Sequence, residues 1–128
     1  MRTSILKLNS KNLNNRIYTE DNILSLLDGY DVANPIYITK TDSTFTWKYK
    51  DLEKIIGYAE SFECEADVVY VNFYVYSHLK PFVDDLLSKG CVMRTCGVGE
   101  IEGNYITDYK IEYLNLCPKV DDAFEELL

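Results

Sequence analysis

The chain has a single histidine, and none of its four cysteines (Cys64, Cys91, Cys96, Cys117) stands in a CxxC pair. A structural zinc site draws four Cys/His ligands in tight pairs, so no metal or cofactor is expected. The default for such cysteines is a buried, reduced thiol. Basic residues are also scarce, 13 against 21 acidic ones, for a net charge of −8. Duplex binding needs a basic face; without a Lys/Arg cluster, nucleic acid is not an expected partner. No apolar run nears the roughly 20 residues that cross a bilayer, so no membrane is expected either. The opening "MRTSILKLNSKN" has no signal-type apolar core or small-residue cleavage site, which predicts a cytoplasmic origin. Repeats, low-complexity segments and linkers are absent.

What is present reads as one globular domain. The 128 residues suit a single domain and bury about two thirds of the unfolded surface. Hydrophobic residues make up 47%, and eleven are tyrosines, a folded rather than disordered composition.

Strand signals dominate. "SILKL" (Ser4–Leu8), "PIYITK" (Pro35–Lys40) and "TFTWKY" (Thr44–Tyr49) are β-rich runs. "DVVYVNFYVY" (Asp67–Tyr76) carries Val, Tyr and Phe on both faces, which predicts burial on two sides. Ile56–Cys64 fits a hairpin arm turned at "EAD", although Leu52, Ile55, Ile56 and Ala59 also share a helical face. Helices are expected at Thr19–Asp28, with Thr19 as cap and Gly29 as stop, and at Leu79–Lys89, with Gly90 as stop. The second carries a stripe of Leu79, Phe82, Val83, Leu86 and Leu87. "CVMRTCGV", "NYITDYKI" and "EYLNLCP" are further strands, and "DDAFEELL" is a short amphipathic segment. The sum is an α+β fold: a largely antiparallel curled sheet or small barrel flanked by two or three helices. Residues 1–118 form the domain and 119–128 an acidic tail.

Three stretches in this order carry a resemblance. They are "NNRIY" (Asn14–Tyr18) before a helix, "PIYITK" leading to a strand pair, and the helix "FVDDLLSKG" followed by "VMRTCGVG" and "ITDYKIEYLNLCP". Together, over residues 5–118, they resemble the prohead maturation proteases of tailed bacteriophages, whose fold is shared with herpesvirus assemblin. That family opens with Asn-x-Asn-x-Arg-hydrophobic-Tyr. Its catalytic histidine lies in a Gly-Glu-hydrophobic-x-His-Pro segment and its nucleophile in a Ser-Ser-Arg-Gly-x-Gly turn.

The departures fall on the chemistry. The resemblance places the family's serines at Arg94 and Thr95 and its arginine at Cys96, while Gly97 and Gly99 match. The histidine position falls at Thr39 or Lys40. A serine nucleophile needs a base to take its proton, and neither group is in place. The resemblance therefore implies a pseudoenzyme: a phage structural or capsid-associated assembly protein with capsid or scaffold partners. It would be found in several copies, in the host cytoplasm during assembly or in the virion. One alternative is an active protease with substituted chemistry, using Cys96 with His78, or Thr95 with Lys40. Another is a small module that binds a host protein. Candidate binding residues are Asn14 and Asn15 in the polar loop, and Phe124, Leu127 and Leu128, which with Val120 share a helical face of the tail.

Overall fold

The computed structural model describes residues 1–12, 15–23, 35–40 and 55–117. Six strands form one sheet: β1 (Arg2–Lys7), β2 (Tyr37–Lys40), β3 (Ile55–Glu65), β4 (Val68–Val75), β5 (Val92–Glu102) and β6 (Tyr105–Cys117). Their spatial order is β1-β4-β3-β2-β6-β5. The sheet is mixed rather than wholly antiparallel, because β2 runs parallel to β6 while the other neighbours are antiparallel. It curls into a half-barrel that brings edge strand β1 near edge strand β5.

The β3–β4 hairpin settles the ambiguous segment as a strand. Its two-residue turn, Ala66–Asp67, has positive φ at both positions (50° and 65°), as the hairpin-compatible type I′ turn requires. A bulge at Glu60 interrupts the alternation of β3, which is why the sequence also fits a helical face. On β4, Val69, Val71, Phe73 and Val75 are buried. Tyr70, Asn72 and Tyr74 face the other way and keep contact with solvent. The predicted two-sided burial is thus corrected to one side: tyrosine supplies strand propensity while leaving a hydroxyl in water.

Among the described residues there is one α-helix, not two or three. α1 (Lys80–Ser88) follows a 3-10 turn at Ser77–Leu79. Val83 is fully buried, with Leu79, Leu86 and Leu87 half-buried against the core, but Phe82 stays 45% exposed. The predicted Thr19–Asp28 helix begins as a 3-10 turn, Glu20–Asn22. Asn22 closes a capping box there: its side chain accepts from the Thr19 N–H (2.8 Å) and donates to the Ile106 carbonyl (3.0 Å), tying the turn to β6. The rest of that helix, the Thr44–Tyr49 strand and the tail lie outside the described residues.

The last two predicted strands are one, β6, joined to β5 by a two-residue turn at Gly103–Asn104. Gly103, at φ +65°, takes the position that favours glycine in a type II′ hairpin. The pairing shifts twice, near Glu112 and near Asp108–Tyr109. Each bulge resets the inside–outside alternation, so a continuous strand reads in the sequence as two. The core gathers Ile5, Leu6, Leu8, Ile38, Val71, Phe73, Val83, Met93, Leu114 and Leu116.

Candidate functional site

Strand β6 lies between β2 and β5, and its register sets Asn115 opposite both Thr39 and Arg94. The three side chains form one polar chain across three strands. Asn115 Nδ2 donates to Thr39 Oγ1 at 3.0 Å. Arg94 Nε donates to Asn115 Oδ1 at 3.2 Å. The Thr39 hydroxyl in turn donates to the Leu114 carbonyl at 3.4 Å. Thr39 (2% exposed) and Asn115 (3% exposed) are buried, where an unmatched polar group is costly. Two of the positions singled out from the sequence, Thr39 and Arg94, are therefore brought together, through a residue that sequence reading missed. Its signal was legible: an asparagine between Leu114 and Leu116 in a run that is otherwise apolar. Lys40 ends β2 and its backbone pairs with Leu116.

Arg94 and Cys96 share a face of β5, and Cys96 stands opposite Tyr113. Burial pushes the Cys96 thiol up, against the pull of Arg94 and a hydrogen bond with Tyr113. Burial and the neighbouring thiol push the Tyr113 phenol up to about 12. Both groups are neutral near pH 7, and an unionised thiol is a poor nucleophile. The groups acting on Cys96 are Arg94, Tyr113 and Glu112. His78 is not among them: it sits exposed in the Ser77–Leu79 turn after β4.

Thr95 points to the opposite face. Its hydroxyl lies 2.9 Å from the Tyr109 hydroxyl, and the Tyr109 ring meets Tyr18 edge-on at 4.9 Å. Burial raises both phenols above the usual tyrosine range. Tyr18 closes the "NNRIY" segment, whose Ile17 is stitched to the β5–β6 hairpin by bonds with Asn104 (2.7 Å) and Ile106 (3.0 Å). Asn15, at φ +60°, turns that loop and donates its backbone N–H to the Asn12 carbonyl at 3.0 Å. Asn14, Phe124, Leu127 and Leu128 lie outside the described residues.

Gly97 and Gly99 do not make a turn; they lie within β5. Their role is close approach, since a Cβ at Gly97 would collide with the Lys110 carbonyl. A hollow of about 360 Å³ lies elsewhere, at the hairpin end, lined by Thr19, Glu102, Tyr105, Ile106 and Thr107. Among the described residues no three His, Cys, Asp or Glu side chains gather as metal ligands.

With this geometry in view, one solved structure is informative: the bacteriophage T4 capsid assembly protease, gp21. It superposes with a TM-score of 0.63 over 92% of this chain and 80% of the protease chain, at 12% identity. The fold resembles that of a phage capsid assembly protease. At that identity the likeness is one of fold. No protein-family model and no curated protein sequence matches the chain.

Proposed function

We propose that this protein is a catalytically silent relative of the phage prohead proteases, acting as a capsid-associated structural or assembly protein. The observation that carries the reading is the Thr39–Asn115–Arg94 chain. By the sequence resemblance, the base of an active protease falls at Thr39 or Lys40 and the serines at Arg94 and Thr95. Thr39 and Arg94 are joined by the Asn115 amide. Neither is a base that could take a proton from a hydroxyl at neutral pH.

Among the described residues the substituted chemistries gain no support. Thr95 and Cys96 lie on opposite faces of β5, and Thr95 is engaged with Tyr109. Cys96 is held as a thiol by burial and has no imidazole acting on it. The polar chain is instead suited to holding β2, β6 and β5 in register, since buried polar groups are satisfied in only one arrangement. A protease fold fixed in this way offers surface rather than chemistry.

Mass spectrometry of purified particles from the phage tests the structural role. The expected result is this chain at a fixed copy number per particle. Detection only in infected-cell lysate, and never in proheads or virions, would remove the role.

A further inference from the structure

The outer face of β1, β4 and β3 has two unlike ends. At one, the polar groups are spent within the sheet. Arg2 pairs with Glu63 (3.1 Å) and Glu65 (3.4 Å). Its guanidinium lies 3.9 Å over the Tyr70 ring. Asn72 donates to Ser61 (2.9 Å) and Glu63 (3.0 Å). At the other end stand Tyr58, Tyr74 and Tyr76. Tyr58 and Tyr74 are cross-strand partners, and Tyr76 follows Tyr74 on the same side. The ring centroids are 5.2 Å (58–74), 6.0 Å (74–76) and 6.5 Å (58–76) apart. Tyr74 is 41% exposed. None of the three hydroxyls hydrogen-bonds to a described residue.

Ring faces carry negative potential and attract cations. The same face already contains one such contact, Arg2 over Tyr70. The chain's net charge of −8 also favours a cationic partner. A guanidinium suits the cluster better than an ammonium, since it is planar and can stack while its N–H groups reach nearby acceptors. Acidic or phosphate-bearing partners are disfavoured by the same field. We propose that the Tyr58–Tyr74–Tyr76 cluster is a docking surface for an arginine-bearing segment of a partner protein, with a guanidinium stacked on Tyr74. The proposal stands apart from the assembly reading, because it requires only an arginine on the partner.

The test is an NMR titration of the full, isotope-labelled chain with an oligoarginine peptide, with oligolysine as comparison. Oligoarginine is expected to shift the ring protons of Tyr58, Tyr74 and Tyr76 and to bind more tightly than oligolysine. Tyr74→Ser should weaken binding roughly fivefold, the ratio one partly exposed cation–π contact carries, while Tyr74→Phe keeps it. Shifts that spare the three rings, or equal binding by Tyr74→Ser, would overturn the proposal. Ring shifts that follow protein concentration alone, with no response to peptide, would assign the face to a second copy of the chain and equally overturn it. The ring shifts are read in the unaltered chain, so the outcome does not depend on a variant folding.

Discussion

Asn115 holds two strands by one amide. It donates to Thr39 and accepts from Arg94, and water does not reach it. Asn115→Ala removes both contacts and leaves the Thr39 hydroxyl and the Arg94 Nε–H to find other partners. The expected cost is about 1–3 kcal/mol, read as a lower urea midpoint at unchanged slope. Tyr113 gives a second handle. Its folded pKa of about 12 lies above the ordinary 10, so the folded state holds the proton more tightly than the unfolded one. The stability from this group is whole below pH 10 and is lost as pH rises toward 12. Tyr18 and Tyr109 shift in the same direction. Urea midpoints taken across that window should fall with pH, and Tyr113→Phe should fall less steeply. The legibility of these residues was uneven. Thr39 and Arg94 were singled out by motif position together with Lys40 and Thr95, and Asn115 was missed because an isolated asparagine in a strand points to no partner until the register is known.

Strands were the most legible elements, because their period is short and β4 keeps it without a break: Val69, Val71, Phe73 and Val75 all point inward. β3 and β6 were harder for one shared reason. Each contains bulges, and a bulge shifts the pattern by one residue, so β6 read as two strands and β3 competed with a helix. The first expected helix is described only at its start, where Thr19, Glu20 and Asp21 open a 3-10 turn; Asn22 bonds the Thr19 N–H and the Ile106 carbonyl there, a tie to β6 that local propensity does not show. Gly97 and Gly99 were read as a turn; in β5 they mark where the chains of the hairpin come closest. Gly97→Ala therefore places a methyl against the Lys110 carbonyl. We expect about 1–3 kcal/mol of destabilisation, the usual range for overpacking, visible as a melting point several degrees lower. A wild-type melting curve for Gly97→Ala would mean that β5 and β6 can separate there at no cost.

The two hairpins of the sheet are joined through β2. This short strand pairs antiparallel with β3 and parallel with β6, linking the β3–β4 hairpin to the β5–β6 hairpin and making the sheet mixed. The parallel contact could not be read from local pattern, because β2 and β6 are far apart in sequence. The curled, strand-rich architecture was legible, and it is also what the T4 capsid assembly protease shares with this chain. Our central claim is that a protease-like sheet here carries a structural polar chain in place of a reacting pair. Peptide-bond cleavage by the purified protein tests it most directly. The chain is incubated with a phage scaffold protein and alone, with and without reductant, and fragments are read by mass spectrometry. The expected result is intact masses throughout, since loss of both members of an interdependent pair removes several orders of magnitude in rate. Specific fragments that disappear with Cys96→Ala or Thr95→Ala would contradict the claim.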